Sequence, residues 1–279
     1  MTKILDGKAL AKQVEQELAA RVEKITARCG RKPRLAILIA GDDYASQTYV
    51  KMKMNACRRV GMEPEKFAFG ENASNEEILE TVEKLNADPD VTGIMLQHPI
   101  PKQLDERGIM DKILPEKDVD GLNSASFGRM ALGLDAFAPA TALSIMTLLH
   151  RYGIEIQGRH AVVIGRSPIL GKPVSLMLLN DNATVTVCHS KTQNLPDMIR
   201  QADIVVAAVG KPRFVKADWI KDGAVIVDAG YNEGNVGDVD LENAAEKSSA
   251  YTPVPGGVGP MTIAMLLEQT VISAERKFK

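Results

Sequence analysis

Tyr49 and Lys53 stand four residues apart in the segment Ala45–Val60, so on a helix they share a face, with Ser46 three residues before Tyr49 on the same side. Val50, Met54 and Cys57 form the adjacent apolar stripe. A catalytic role is one reading of the Tyr/Lys pair. Helical spacing brings any such pair together, however, and taken alone it means only a half-exposed amphipathic face. Gln97 comes directly after the apolar run Gly93–Leu96, and His98-Pro99-Ile100-Pro101 closes the end. A polar residue at the C-terminal tip of a strand is a common site position. Lys117-Asp118-Val119-Asp120-Gly121 sets two carboxylates in a loop. A solvated turn accounts equally for each of these two segments.

A second constellation lies in Ala161–Leu179, where a buried strand runs into Gly165-Arg166-Ser167 and Gly171 opens a helix. In this context a phosphate sits on backbone N–H groups at a helix N-terminus. The spacing Gly-Arg-Ser-x-x-x-Gly is a variant of the dinucleotide fingerprint, with Ser167 in place of the second glycine. The next strand, Val185–Val187, ends in Cys188-His189-Ser190-Lys191-Thr192. An NAD-selective site places an acid near here to accept the ribose hydroxyls. This chain has a hydroxyl, an imidazole and an ammonium instead, with Arg166 in the first turn. Those groups suit a 2′-phosphate, so the cofactor reading is NADP; the plain alternative is a solvated loop. A Tyr-x-x-x-Lys pair with a dinucleotide turn also suggests a short-chain dehydrogenase. There the pair follows the turn, whereas Lys53 precedes Gly165.

The elements that must position these residues alternate along the chain. Leu35–Ala40, Phe67–Phe69 and Gly93–Leu96 read as strands, with helical patterns over Asp6–Cys29, Ala45–Val60 and Asn75–Asn86 between them. The last follows Ser74, with Glu77 three residues on, a capping box. A second set of strands reads Ala161–Ile164, Val185–Val187, Ile204–Ala208 and Val225–Val227, and Met261–Lys279 reads as a final helix. Strand–helix alternation predicts βαβ units on parallel sheets, with breaks near Pro115–Asp120 and Tyr251–Pro260. The expected fold is α/β with two lobes and a cleft between them.

The whole chain bounds the function classes. Its 279 residues suit one large or two modest domains, and 45% hydrophobic with 25% charged residues excludes a disordered tail protein. A net charge of -2, from 34 Lys plus Arg and 36 Asp plus Glu, carries no basic surplus for nucleic acid. The N-terminus lacks the apolar core of a secretory signal, and no apolar run approaches the roughly 18 residues of a membrane span. Cys29, Cys57 and Cys188 form no CxxC and fit a reducing cytoplasm. His98, His150, His160 and His189 show no metal-site spacing, so no metal is expected.

Together these segments resemble bifunctional methylenetetrahydrofolate dehydrogenase/methenyltetrahydrofolate cyclohydrolase over nearly the whole chain. The most specific pieces are ASQTYVKMKMNAC, KDVDG, IGRSPILGKP, TVTVCHSKT, GDVD at Gly237–Asp240 and TPVPGGVGPMT at Thr252–Thr262. The resemblance implies a catalytic folate lobe over 1–120, completed by the helix 261–279, and a Rossmann-like NADP-binding lobe over 121–260. It implies oxidation of 5,10-methylenetetrahydrofolate to the methenyl cation with NADP, then hydrolysis to 10-formyltetrahydrofolate, in a homodimer joined through the nucleotide lobe. The catalytic positions it marks are Lys53, Gln97, Tyr49 and Asp120: Lys53 matches the lysine of the cyclohydrolase step, Tyr49 the tyrosine stacked on the folate ring, Gln97 the glutamine that holds the lysine, and Asp120 the aspartate that grips the pterin. Gly165, Arg166, Ser167 and Ser190 match positions around the dinucleotide phosphates. Tyr231 matches a residue, usually Ile, at the nicotinamide end. Pro255, Gly256 and Gly257 match a loop that closes over the folate.

The chain departs from this pattern at Gln97-His98-Pro99 for Gln-Leu-Pro, at Pro139-Ala140-Thr141-Ala142 for Pro-Cys-Thr-Pro, and at Leu122-Asn123-Ser124. The first departure puts a titratable group beside the tuning glutamine, where it bears on the cyclohydrolase rate and pH profile. A monofunctional dehydrogenase and a non-catalytic nucleotide-sensing module are the competing readings. The presence of Lys53, Gln97 and Asp120 together favours the bifunctional one.

Overall fold

The computed structural model describes residues 2–278. In chain order the elements are β1 (Lys3–Ile4), α1 (Gly7–Cys29), β2 (Arg34–Ala40), α2 (Tyr44–Arg59), β3 (Glu63–Phe69), α3 (Asn75–Ala87), β4 (Gly93–Leu96), α4 (Glu106–Lys112), α5 (Ser124–Ala131) and α6 (Ala140–Arg151). Then follow β5 (His160–Ile164), α7 (Gly171–Asn180), β6 (Thr184–Cys188), α8 (Leu195–Arg200), β7 (Ile204–Ala207), β8 (Val225–Asp228), α9 (Leu241–Ala244), β9 (Ala250–Tyr251) and α10 (Val258–Lys277). The expected terminal helix begins three residues early, at Val258, and its last expected residue, Lys279, lies outside the described residues, as does Met1. The chain forms two compact units. One comprises the N-terminal residues through Ala11, Ala131–Gly133 and Thr141–Thr262; the other comprises Lys12–Met130, Leu134–Ala140 and the described residues from Ile263 on.

The second of these units is built on a parallel sheet of order β3-β2-β4. The run Leu35–Ile39 in β2 is fully buried. A parallel strand covered on both faces needs such an unbroken apolar run. Val14, Leu18, Val22 and Ile25 of α1 are buried at helical spacing. The capping box on α3 is formed, with Ser74 Oγ accepting from Glu77 N and the Glu77 carboxylate accepting from Ser74 N. Strand β3 is longer than its apolar residues indicate. It lies at the sheet edge, where polar residues and Pro64 are tolerated because only one side pairs.

The first unit carries a six-stranded parallel sheet, β1-β9-β8-β7-β5-β6, around a core that includes Val162, Ile164, Val205, Ala207 and Ile226. The order reverses at β5, which has β6 on one side and β7 on the other, the crevice where doubly wound sheets bind ligands.

Two boundaries depart from the expected lobes. The N-terminal residues fall with the six-stranded unit because β1 pairs with β9 and Leu5 N donates to Tyr251 O at 2.8 Å. Residues 121–130 and 134–140 fall with the three-stranded unit. There the buried Gln269 side chain of α10 donates to Val119 O and Ala138 O at 2.7 and 2.9 Å and accepts from Ala138 N. Gly121 (φ +68°) passes so close to Ala138 that a Cβ would lie 2.1 Å from its carbonyl carbon.

Candidate active site

In the three-stranded unit β2 ends at Ala40, and Gly41 turns the chain with φ +83°. Asp43 caps α2 by accepting from Ser46 N at 2.7 Å. That start fixes the helix register: Ser46, Val50 and Cys57 are buried, while Tyr49 is 37% exposed one turn before Lys53. Strand β4 ends at Leu96, and Gln97 N continues the ladder to Leu38 O at 2.7 Å. The buried Gln97 side chain therefore leaves the C-terminal edge of the sheet, where Lys53 Nζ donates to its Oε1 at 2.9 Å. Gln97 Nε2 donates to His98 O at 2.7 Å, which orients the amide with its oxygen toward the lysine. Met95 Sδ lies 3.6 Å from Lys53 Nζ. The sequence reading did not single out Met95, because a thioether inside an apolar strand carries no signal.

The two carboxylates of the 117–121 loop separate by role. Asp118 is buried and accepts from Leu122 N and Asn123 N at 3.1 and 2.9 Å, so it builds the loop; burial pushes its pKa up to about 7. Asp120 faces Lys53. Burial raises the Asp120 pKa, and the cations Lys53 and His98 oppose that rise. Burial in turn lowers the Lys53 pKa, with Asp120 and Cys57 pulling it back. A buried amine is driven toward its neutral, proton-accepting form because low dielectric disfavours the charge. Lys117 is structural: its buried ammonium donates to Leu85 O, Asn86 O and Asp88 O at 2.7 Å each, closing the end of α3.

In the six-stranded unit the turn after β5 is shaped by close approach. Gly165 (φ +128°) would place a Cβ 2.3 Å from Ala208 O, and a Cβ on Gly171 would lie 2.3 Å from Gly165 O. Ser167 Oγ accepts from Leu170 N and Gly171 N at 3.2 and 3.4 Å, so this hydroxyl caps the turn into α7. Ile164 pairs with Cys188, and Gly165 N donates to Cys188 O at 2.9 Å. Gly165-Arg166 and His189-Ser190 thus leave adjacent strands at one level, with Arg166 and Ser190 both exposed. His189 N donates to Thr192 Oγ1 and Lys191 N to His189 Nδ1, a tight turn with no carboxylate in it.

A third turn, after β7, hangs on one residue to which the sequence reading assigned no role. The buried carboxylate of Asp238 accepts from Val209 N, Gly210 N and Lys211 N at 2.6, 2.9 and 2.8 Å. Asp228 at the end of β8 accepts from Gly230 N, Asp238 N and Val239 N at 2.9 Å each, and burial pushes its pKa up to about 6. The GDVD segment was the available signal. Tyr231 is 59% exposed and donates from its hydroxyl to Asn235 Oδ1 at 2.6 Å. Pro255–Gly257 lie between β9 and α10, where Gly256 O accepts from Lys8 N at 2.8 Å. Among the described residues, no group of three or more His, Cys, Asp or Glu side chains is placed to hold a metal ion.

Residues 5–120 match the family described as tetrahydrofolate dehydrogenase/cyclohydrolase, catalytic domain, and residues 139–278 match its NAD(P)-binding domain. The chain is 60% identical over 276 residues to a bifunctional protein FolD of Cellvibrio japonicus, with 99% of each chain covered. Among solved structures it is similar to the bifunctional enzyme FolD, methylenetetrahydrofolate dehydrogenase/cyclohydrolase, from Campylobacter jejuni, with a TM-score of 0.97 and 43% identity over 99% of both chains. It is also similar to the Trypanosoma brucei N5,N10-methylenetetrahydrofolate dehydrogenase-cyclohydrolase complexed with NADP cofactor and inhibitor, with a TM-score of 0.95 and 37% identity over 99% of this chain and 98% of that one.

Proposed function

The chain belongs to the tetrahydrofolate dehydrogenase/cyclohydrolase family, and we propose that it oxidises 5,10-methylenetetrahydrofolate to the 5,10-methenyl cation with NADP and hydrolyses that cation to 10-formyltetrahydrofolate. The observation that carries the second activity is the amine of Lys53 held at 2.9 Å by Gln97 Oε1, driven toward neutrality by burial, with Asp120 beside it.

NADP fits the residues of the six-stranded unit. Gly165 and Gly171, where a Cβ would strike the Ala208 and Gly165 carbonyls, permit the tight turn into α7, while Arg166 and Ser190 offer a cation and a hydroxyl to a 2′-phosphate with no acid in the adjoining turn. When bound, its nicotinamide supplies the hydride acceptor. Gly165, Arg166, Ser167 and Ser190 hold the phosphate-bearing part, and Tyr231 borders the nicotinamide end. On the folate side Asp120 accepts hydrogen bonds from the pterin NH and exocyclic amine, and Tyr49 stacks on the ring system. Hydride transfer asks only for positioning, so these contacts suffice.

Hydrolysis needs a base. Water forms a C–O bond to the methenyl carbon as one of its protons passes to Lys53 Nζ; the C–N5 bond then breaks as Lys53 gives that proton to N5 and the hydroxyl proton of the adduct is released to solvent, which leaves the formyl group on N10. The positive charge of the methenyl substrate pushes Lys53 further toward the neutral amine before attack. Gln97 fixes the amine while it accepts and returns the proton.

The exposed edge strand β6, with Val187 40% and Leu179 of α7 55% exposed, supports a homodimer through this unit. The free thiols of Cys29, Cys57 and Cys188 support a reducing, cytoplasmic setting. Among the described residues no helix is long and apolar enough to cross a membrane.

A coupled absorbance assay that follows NADPH and methenyl-folate separately tests the function. Both signals should appear, with the methenyl signal transient. NADPH with undiminished methenyl-folate would leave only the dehydrogenase, and no NADPH would remove the reading altogether.

A further inference from the structure

The turn after β7 stands directly beside the turn after β5. Ala208 N donates to Ile164 O at 2.8 Å, and a Cβ on Gly165 would lie 2.3 Å from Ala208 O. Strand order reverses at β5, and doubly wound sheets take their ligand in the crevice outside the strand ends at that point. Residues 208–211 therefore form one wall of the crevice. Gly210 and Lys211 are exposed, yet the amides of Val209, Gly210 and Lys211 all point inward, to the fully buried carboxylate of Asp238 at 2.6, 2.9 and 2.8 Å.

Asp238 is itself fixed from behind. Its N–H and that of Val239 donate to the Asp228 carboxylate at 2.9 Å each, and Asp228 N, at the end of β8, donates to Thr252 Oγ1 at 2.8 Å. Asn232 Nδ2 donates to Asp238 Oδ1 at 3.1 Å, which ties the segment after Tyr231 to the same carboxylate. Two glycines make room for the pair: a Cβ on Gly230 would lie 2.2 Å from Asp238 Cγ, and one on Gly237 would lie 2.0 Å from Asp228 Oδ2. Asp118 builds its own loop by bonding amides 4 and 5 residues away. Asp238 instead reaches 27 to 29 residues back, to the end of another strand.

We propose that Asp238 is a positioning residue for the dinucleotide: by taking the three amides of the 209–211 turn it fixes the crevice wall that meets the cofactor and turns the N–H donors of that wall away from it. The role presupposes the NADP reading above. A phosphate seeks N–H donors or cations. With its donors withdrawn to a carboxylate, the β7 wall takes the uncharged, nicotinamide end of the cofactor, and the phosphates stay with Arg166 and Ser190 at the ends of β5 and β6. The effect belongs to the Asp238 side chain, because its two oxygens are the acceptors. Asn at 238 keeps the size but offers one acceptor oxygen where Asp offers two, so part of the turn loses its partner.

The test compares the unmodified protein with Asp238→Asn and Gly210→Ala. Gly210 has φ +62° and nothing within 4 Å of a Cβ, so Ala there strains the shape of the turn and leaves Asp238 in place. Amide hydrogen exchange in the cofactor-free protein should find Val209, Gly210 and Lys211 protected, and Asp238→Asn should speed their exchange by about tenfold or more. In Asp238→Asn kcat/KM for NADP should fall roughly ten- to a hundredfold, the scale of a small misplacement in a binding site. Gly210→Ala should move it in the same direction. Methenyl-folate hydrolysis, assayed without NADP, should stay near the unmodified rate in both variants, because Lys53, Gln97 and Asp120 belong to the other unit. A merely structural Asp238 would instead lower both activities together as the fold weakens. That parallel loss, unchanged use of NADP in either folded variant, or 209–211 amides that exchange alike with and without the carboxylate would overturn the proposal. Should Asp238→Asn fail to fold, the same split between the two activities in Gly210→Ala decides. An unmodified enzyme that hydrolyses methenyl-folate but ignores NADP would sink the cofactor reading and this proposal with it.

Discussion

Lys53 Nζ meets an amide oxygen and a thioether, and the carboxylate that steadies its charge, Asp120, is itself raised by burial. Such surroundings suit a base that must start neutral. Lys53→Met should therefore cut methenyl-folate hydrolysis by roughly two to four orders of magnitude, the usual contribution of a positioned base. NADPH formation should survive in part, because hydride transfer does not use the amine; hydrolysis near wild type would refute the assignment. Asp120→Asn changes a different quantity. Losing a hydrogen bond to a charged group is worth roughly 1.5–3 kcal/mol, or about ten- to a hundredfold. Both activities should fall together because both need the same ring bound, and an unchanged folate affinity would rule the anchor out.

At the scale of elements, the proposed cofactor choice turns on two adjacent strand ends. The pairing of Ile164 with Cys188 sets Arg166 and Ser190 at one level, and the turn His189–Thr192 supplies no carboxylate. Ser190→Asp should raise KM for NADP at least tenfold by repelling the 2′-phosphate, while kcat/KM with NAD changes little. Steady-state kinetics with both cofactors checks this. Better use of NAD by the unmodified protein would mean that Arg166 and Ser190 do not meet a phosphate. The β4 end shows the same logic in the three-stranded unit. Gln97 is useful only because its backbone continues the ladder to Leu38 and so projects the amide from the sheet edge toward α2.

For the molecule as a whole, the buried acids link stability to pH. Asp118 has its pKa pushed up to about 7, against roughly 3.9 in an unfolded chain. A carboxyl whose pKa rises on folding favours the fold fully below its unfolded value, and that contribution is lost as pH climbs through the folded value. The unmodified protein should thus lose thermal stability relative to Asp118→Asn between about pH 4 and about pH 7. The variant should be less stable at low pH, since Asn offers one acceptor oxygen where Asp118 serves both Leu122 N and Asn123 N. Melting curves across that range check it; parallel curves for the two proteins would show that Asp118 does not titrate there.

Local chemistry in the sequence was enough to determine the parallel α/β architecture. Unbroken apolar runs such as Leu35–Ala40 serve only as strands covered on both faces, Ser74 and Glu77 cap their own helix, and Gly165 admits the turn into α7. The missing acid after β6 was legible for the same reason, since it is a property of a single turn. What the tertiary structure decided involves residues distant along the chain. Two aspartates two positions apart look alike in sequence. Only packing buries Asp118 in its own loop and turns Asp120 toward Lys53. The contact between Lys53 and Gln97 spans 44 residues, Glu106 reaches His98 from the start of another helix, and Asp238 gathers three amides from the turn after β7. β1 joins the six-stranded sheet because a pairing partner, Ala250–Tyr251, waits at the far end of the chain. Proximity and burial are properties of the folded chain, and they decide which of several similar side chains is charged, held or free to react.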